Sequence, residues 1–367
     1  MTTDQTPRAE IIGSLLHPQE LQAARKELLA GRLSPSDFKV IEDRAVDEAL
    51  QLQKDAGVDV VSDGEMRRMF FAATFSQGIE GLSETPSWEM HWMGDNDEVE
   101  FTLPFAVTGK LRRRRSLAAE EFSYLRGRAD VPVKVTLPSP FMMLYWWSRG
   151  SSPEAYPDPW DMFLDAASIV REELLELKEL GCTYVQIDAP EIAIIGVDEA
   201  YREQFVSLTG LPAERILDEA ADVLDGMVAD SGMNIGIHLC RGNNSGRWTA
   251  SGSYDRIVGR VLGRLSNFDT ILLEYDDDRA GSFEVLGDLT PDKTLVLGLV
   301  STKREDLESA DELKARIEEA SRFYPLERLA ISTQCGFASN EAGNPVSAAV
   351  QRQKLELVAQ VGHEVWN

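Results

Sequence analysis

The sequence contains only three cysteines in 367 residues, and they are irregularly spaced. An odd, irregular set does not make a disulfide framework, so we expect a reducing, cytoplasmic setting. Basic residues are also scarce, since 37 Lys and Arg stand against 62 Asp and Glu, giving a net charge of −25. That charge repels nucleic-acid phosphates and anionic membrane surfaces, so neither is an expected partner.

Long hydrophobic runs are absent as well. No segment approaches the roughly 18 uninterrupted apolar residues that a transmembrane helix requires. The N-terminal segment MTTDQTPRAEIIGS has neither the basic start nor the apolar centre of a signal peptide. We therefore expect a soluble protein.

What the sequence does contain is an alternation of short β-branched runs with long amphipathic stretches. This alternation is typical of βα units around a parallel sheet, and eight runs are the number that closes a (β/α)8 barrel. The predicted strands are 9–14, 58–64, 131–138, 183–190, 234–240, 270–275, 294–300 and 329–336. The predicted helices include 37–57, 158–181, 212–232, 309–324 and 347–362. We predict an α/β fold, a single TIM barrel over 1–367 with an insertion after strand 2, at about 72–130.

Four potential metal ligands follow three of these predicted strands. His238 and Cys240 end one run, Glu274 nearly ends the next, and Cys335 nearly ends the last. Functional groups of such barrels gather at the carboxyl ends of the strands. Imidazole, thiolate and carboxylate are zinc ligands, and a set with an exchangeable oxygen suits catalysis. Taken singly, each could be a buried core residue, but together they predict a catalytic zinc site.

Two carboxylates, Glu65 and Asp188, end the second and fourth predicted strands and face the same rim. They could bind a substrate ammonium, share a proton or act as acid and base. Helix capping and loop hydrogen bonds are the alternative interpretation. We therefore treat both as candidate catalytic and binding residues.

Aromatic residues are concentrated after the third predicted strand, where Tyr145, Trp146 and Trp147 could stack on a flat heterocycle or pack in the core. The arginines 112–115 could hold an anionic group or form a solvated basic face. Cys182 begins a strand, at the opposite end of the barrel, and is interpreted as a buried structural thiol.

The motifs taken together resemble the cobalamin-independent methionine synthases and their short single-barrel relatives. The resemblance covers nearly the whole chain in order. It is carried by IGSLLHP (12–18), SDGEMRR (62–68), PSPFMMLYWW (138–147), QIDAPEIA (186–193), HLCRGN (238–243), LEYDDDRAG (273–281) and STQCGFAS (332–339).

This resemblance implies a barrel in which zinc binds a substrate thiol that accepts an alkyl group. It implies His238, Cys240, Glu274 and Cys335 as zinc ligands, in agreement with their spacing. It further implies that Ile12 and Ser14 hold the carboxylate of an amino-acid thiol, that Glu65 and Asp188 hold its ammonium, and that Trp146 or Trp147 stacks on a folate. One departure is Ala189, where the family has a glutamate, so we expect the pocket to lack one carboxylate.

The leading hypothesis is methyl transfer to homocysteine or a similar thiol, from a methylfolate or from a methyl-corrinoid, which a partner protein could carry. Short relatives also include epoxyalkane:coenzyme M transferases, so alkylation of a sulfonated thiol, with Arg67 or Arg241 as the counter-charge, is a second hypothesis. A non-catalytic zinc-binding barrel is the third. A homo-oligomer is possible, and the sequence does not identify the general acid.

Overall fold

The computed structural model describes residues 6–94 and 97–366. The strands in this part of the chain are β1 (Ala9–Glu10), β2 (Ile79–Ser83), β3 (Glu89–Met93), β4 (Glu98–Thr102), β5 (Ala106–Arg113), β6 (Lys134–Pro138), β7 (Tyr184–Asp188), β8 (Asn234–Leu239), β9 (Thr270–Glu274), β10 (Thr294–Val300) and β11 (Leu329–Thr333). The α-helices are α1 (Gln19–Leu29), α2 (Pro35–Ala56), α3 (Ala73–Gly78), α4 (Ala119–Leu125), α5 (Met142–Tyr145), α6 (Pro159–Glu179), α7 (Pro190–Val197), α8 (Glu199–Thr209), α9 (Ala220–Val228), α10 (Asp255–Val258), α11 (Ala310–Ala320) and α12 (Ala348–Trp366).

Seven of the strands form one curled parallel sheet in the order β1-β11-β10-β9-β8-β7-β6. Every residue of β6, β7, β9, β10 and β11 is buried, as expected for a sheet that is covered on both faces. The α/β barrel prediction is therefore confirmed, and seven predicted strands lie where the sequence placed them. The predicted helix at 212–232 is also present, although it begins as a π-helical turn over Arg215–Glu219.

The predicted second strand, 58–64, is the exception. It forms one parallel bridge, between Val61 and Val133, and fills the eighth position of the barrel without forming a regular strand. The Asp59 N–H donates to Ala9 O at 2.8 Å on one side, and the Val61 N–H donates to Pro132 O at 3.0 Å on the other. Beyond Val61, the Gln53 side chain bonds both the N–H and the carbonyl of Ser62, at 2.9 and 2.8 Å. These side-chain bonds replace the ladder bonds that would have continued a strand.

The outer helices follow the local signals in the sequence. The Ser34 hydroxyl accepts a hydrogen bond from the Asp37 N–H, and Pro35 occupies the first turn of α2. The same helix ends at Gly57, whose φ of 82° is the left-handed conformation that glycine adopts readily. No helix within the described residues is long and apolar enough to cross a membrane.

Residues 72–130 interrupt the βα alternation, as predicted. They contain α3, an antiparallel pair of β2 with β5, the β3–β4 hairpin, and α4, which packs against β6 and α6. The hairpin reaches the loop after β8, since Met93 and Trp248 exchange backbone hydrogen bonds of 2.7 and 2.9 Å. This segment therefore extends over the carboxyl ends of the strands.

A buried ion pair connects β1 and β6 near the amino ends of the strands. The Lys134 ammonium donates to Glu10 Oε2 and to Gln186 Oε1, both at 2.7 Å, and its side chain is fully buried. Because β1 is only two residues long, this pair adds a side-chain connection that the short ladder lacks.

We expect Lys134→Met to lower the free energy of unfolding by about 3–5 kcal/mol, because it leaves the Glu10 carboxylate buried without its partner. Urea denaturation measures the change. Lys26→Met, on the exposed face of α1, should stay within about 0.5 kcal/mol of the parent and serves as the control. Equal stability of both variants would contradict this role for the ion pair.

Candidate functional site

A cavity opens at the carboxyl ends of the barrel strands, and its wall combines metal-ligand types with carboxyl groups. Ile12, Ser14, Glu65 and Asp188 line it together with His238, Cys240 and Cys335. Apolar side chains supply much of the rest of the wall, including Met90, Trp92 and Leu103 from the 72–130 segment. The predicted residues come from distant parts of the chain, and the closed sheet brings them together.

The four predicted metal ligands converge beside this cavity. One ligand atom from each of His238, Cys240, Glu274 and Cys335 lies within 4.8 Å of the others, and all four side chains are buried. The Cys240 and Cys335 sulfur atoms are 3.6 Å apart, and no disulfide joins them. His238 and Glu274 belong to β8 and β9, while Cys335 follows β11 by two residues. Parallel strands of one sheet thus deliver the set to one point.

The donor set fits a zinc ion. Both ring nitrogens of His238 are buried and have no hydrogen-bond partner among the described residues, which leaves a nitrogen lone pair available for coordination. The hydrogen bond from Cys240, together with the nearby His238, holds the pKa of Cys335 well below the ordinary thiol value. The Gly242 N–H donates to Cys240 Sγ at 3.2 Å. Imidazole, two thiols and a carboxylate in a tight cluster are a zinc-type set.

Glu274 is held ionised by its surroundings. Burial alone would raise the pKa of Glu274, but the positive charges of Lys303 and Arg241 outweigh burial and lower it. The Gln334 amide donates to Glu274 Oε1 at 3.1 Å, and the Arg241 backbone N–H donates to Oε2 at 3.0 Å. The carboxylate is therefore oriented as well as charged.

Glu65 lines the cavity and has an unusual backbone conformation. Its φ is 59°, in the left-handed region that few non-glycine residues occupy. A Cβ atom on Gly13 would lie 2.4 Å from Glu65 Oε1, so the carboxyl group needs the glycine beside it. The Thr136 hydroxyl donates to Glu65 Oε1 at 2.9 Å, and burial raises the pKa of Glu65 to about 8.

Asp188 is the last residue of β7 and is positioned from its own strand. The Gln186 amide, two residues earlier on the same face, donates to Asp188 Oδ1 at 2.7 Å. Burial raises the pKa of Asp188, while the nearby His238 opposes that rise. The two predicted carboxyl groups thus share one cavity, and each has a protein hydrogen-bond donor.

Ile12 and Ser14 follow β1 and also line the cavity. The Ser14 hydroxyl accepts a hydrogen bond from the Ala338 N–H at 3.3 Å, and the Ser14 carbonyl accepts one from the Phe337 N–H at 2.8 Å. A Cβ on Gly336 would lie only 1.9 Å from Ser14 Oγ. The loop after β11 can pass this close to Ser14 only because residue 336 has no side chain.

Trp146 and Trp147, the two tryptophans predicted to stack on a folate, are not among the residues that line the cavity. Trp146 is fully buried with its ring 5.7 Å from that of Phe105, and the Trp147 indole donates to Tyr156 O at 3.1 Å. Tyr145, the third aromatic residue of that prediction, does line the cavity together with Met142, and the indole on the cavity wall is Trp92. Trp92 lies in the hairpin of the insertion, where the sequence pattern indicated no site residue.

Glu191 is a functional candidate that the sequence analysis missed. It lies in the first turn of α7, lines the cavity and is 1% exposed. Neither carboxyl oxygen has a partner in the described part of the chain, and burial raises the pKa of Glu191 to about 8. The cavity therefore does not lack a carboxyl group where Ala189 departs from the family pattern. A signal was present, since Glu191 follows Asp188 by three residues immediately after a strand.

The arginines considered from the sequence lie elsewhere. Arg67 is paired with Glu42 and Asp43, each at 2.7 Å, and Arg241 is buried 3.5 Å from Glu274. Arg113 pairs with the carboxylates of α6, while the other three arginines of 112–115 are exposed. No lysine or arginine belongs to the described lining of the cavity.

Comparisons with known proteins agree with this architecture. Residues 7–354 match the family model described as cobalamin-independent synthase, catalytic domain. The uncharacterized protein YxjH of Bacillus subtilis strain 168 is 33% identical over 98% of this chain and 94% of its own. The methionine synthase of Pyrococcus abyssi is 27% identical over 89% of this chain and 85% of its own. A B12-independent methionine synthase from Shewanella sp. W3-18-1 has the same fold, with a TM-score of 0.75 at 22% identity over 98% of this chain and 97% of its own.

Gly336→Ala should reduce the free energy of unfolding by about 1–3 kcal/mol, because the added Cβ would overlap Ser14 Oγ and force the two loops apart. Gly226→Ala is the matched control, since a Cβ atom added at this position in α9 would have nothing within 4 Å. That change should stabilise the protein by roughly 0.5–1 kcal/mol. Thermal or urea unfolding of both variants checks the contrast, and a neutral Gly336→Ala would refute the close approach.

Proposed function

Because the chain belongs to the cobalamin-independent synthase family, we propose that it transfers a methyl group to the sulfur of homocysteine or a similar amino-acid thiol. The observation that carries this proposal is the pairing, in one cavity, of a sulfur-rich metal-ligand set with carboxyl groups able to hold an ammonium. An amino-acid thiol has a sulfur that could bind at the metal-ligand set and an ammonium that could bind to the carboxyl groups.

The residues that would hold zinc are His238, Cys240, Glu274 and Cys335. Zinc bound there would supply a substrate sulfur in its thiolate form, which is far more nucleophilic than the thiol at neutral pH. The chain's own contribution is the low-dielectric cavity and the fixed ligand geometry. Gln334 and the Arg241 backbone orient Glu274, so the carboxylate is already in place when a ligand arrives.

Glu65 and Asp188 would bind the substrate ammonium. Each carboxyl group accepts one protein hydrogen bond and retains lone pairs toward the cavity. An entering ammonium would favour their ionised forms, because an opposite charge at close range lowers a carboxyl pKa. The segment of Ile12 and Ser14 would hold the substrate carboxylate at the neighbouring wall.

The cavity argues against the sulfonated-thiol hypothesis. A sulfonate requires a cation or several strong donors, and no basic side chain stands in the described lining. Of the two candidate counter-charges, Arg67 is paired with Glu42 and Asp43, and Arg241 lies 3.5 Å from Glu274; neither belongs to the described lining. The amino-acid thiol is therefore the favoured acceptor. The third hypothesis, a non-catalytic barrel, does not explain why several carboxyl groups line a cavity beside the metal ligands.

Cys240→Ser and Cys335→Ser should each lose most of the bound zinc, because a hydroxyl is a much poorer ligand than a thiolate. Elemental analysis of protein purified without chelators measures the zinc content per chain. Cys182→Ser changes a buried thiol outside the cluster and should keep the parent content. Full zinc content in both cluster variants would reject the ligand assignment.

Incubating the zinc protein with homocysteine and a methyl donor should yield methionine. Glu65→Gln and Asp188→Asn should each weaken homocysteine binding by roughly 10- to 100-fold, as expected for loss of a charge-assisted hydrogen bond. Calorimetry with 4-mercaptobutanoate, which lacks the amino group, separates this effect from a general disturbance, since its affinity should not fall. Exposed Glu154→Gln is the control variant. Failure of every methyl donor to give product would defeat the proposal.

A further inference from the structure

Glu191 differs from the other carboxyl groups of the cavity in having no hydrogen-bond partner. Thr136 donates to Glu65 and Gln186 donates to Asp188, at 2.9 and 2.7 Å. Both oxygens of Glu191 lack a partner among the described residues, although the residue is only 1% exposed. Leaving a buried polar group unpaired is unfavourable, so such a group is expected where a ligand completes its hydrogen bonds.

The surroundings of Glu191 favour its neutral, protonated form. Burial, with a further contribution from the nearby Asp188 charge, raises the pKa of Glu191 to about 8. The other titratable groups that face it are the hydroxyls of Tyr145 and Tyr201, both of which are neutral at pH 7. At neutral pH the carboxyl group therefore carries a proton and has no acceptor for it in the described protein.

The buried carboxyl group of Glu191 lies near an aromatic cluster that includes Tyr145 and Tyr201. Tyr201 donates to Met90 Sδ at 3.0 Å, and the Trp88 ring packs 5.1 Å from Tyr145 and 6.1 Å from Tyr201. Tyr145 lines the same cavity, and its hydroxyl is also without a partner in the described chain. Glu191 and Tyr145 thus present two free polar groups on an otherwise apolar wall of the cavity that contains His238 and Cys335.

We propose that Glu191 is the general acid of the reaction, giving its proton to the leaving atom of the methyl donor. The inference rests on the proposed methyl transfer and deepens it. In the step, the substrate sulfur, which reacts as the thiolate, forms a bond to the methyl carbon while the bond from that carbon to the donor nitrogen breaks. The nitrogen keeps the electron pair of the broken bond and receives the Glu191 proton, so the products are a thioether, a secondary amine and the Glu191 carboxylate.

This assignment selects the class of donor. A methyl group on a tertiary amine is a poor electrophile until the nitrogen is protonated, so such a donor needs a general acid within reach. A methyl-corrinoid needs no proton on its leaving group and would leave Glu191 without a role. The donor is therefore an N-methylated amine, such as a methylfolate.

The test compares the zinc-loaded wild type with Glu191→Gln, using methyltetrahydrofolate and methylcobalamin as alternative donors with homocysteine. The amide has nearly the shape of the acid but cannot supply the proton. Transfer from methyltetrahydrofolate should fall by about 10²- to 10⁴-fold, the usual contribution of a general acid. Homocysteine affinity and any transfer from methylcobalamin should be unchanged. Glu203→Gln, on the exposed side of the adjacent α8, is the matched control.

Two further measurements distinguish the loss of a proton donor from a folding defect in Glu191→Gln. Glu191→Asp keeps an acid one methylene further from the donor and should retain more transfer than Glu191→Gln. The infrared difference between wild type and Glu191→Gln at pH 7 should contain the carbonyl band of a protonated carboxylic acid, a readout that does not depend on turnover. The absence of that band from the difference overturns the inference.

The activity outcomes separate the two proposals. If wild type uses methylcobalamin alone, or if Glu191→Gln keeps its rate with methyltetrahydrofolate, the role of Glu191 is overturned while methyl transfer to the thiol stands. If neither donor gives product with wild type, the proposed function itself fails, and the general acid falls with it.

Discussion

The convergence of one nitrogen, two sulfurs and one carboxylate oxygen within 4.8 Å is the constraint on which the rest of this structure depends. Four such groups in a buried space are costly unless something binds them, since each would otherwise lose its hydrogen bonds to water. The barrel can hold these groups together because parallel ladders fix β8, β9 and β11, the strands that carry or directly precede the ligands. A rigid sheet can hold ligand atoms in place before the ligand arrives, and loops alone rarely do so.

The close contacts around the cluster follow from the same requirement. Gly336 allows the loop that carries Cys335 to lie against Ser14, and Gly13 allows the Glu65 carboxyl to pass beside the first strand. Neither glycine is needed for backbone conformation, because neither has a positive φ. These two glycines are required because a side chain at either position would overlap the neighbouring residue. The carboxyl groups and the predicted metal ligands can therefore lie close together at one small cavity.

Much of this arrangement could be predicted from the sequence, because strand ends and ligand types are local features. The eight apolar runs located seven strands, and the polar residues that follow them indicated the metal cluster, Glu65 and Asp188. The run at 58–64 was misleading since the bonds that end it come from the side chain of Gln53 in the preceding helix. The position of Trp92 and the unpaired state of Glu191 could not be predicted in the same way. Trp92 reaches the cavity through the fold of an irregular insertion, and the importance of Glu191 depends on the hydrogen bonds it does not make.

The insertion has a chemical consequence although it supplies no metal ligand. Met90, Trp92 and Leu103 form part of the apolar wall, and backbone bonds between Met93 and Trp248 attach the hairpin to the rim. Apolar cover raises the pKa of buried carboxyl groups, as it does for Glu65 and Glu191. The buried carboxyl groups with raised pKa values thus share a cavity with an apolar wall, part of which comes from a segment that carries no metal ligand.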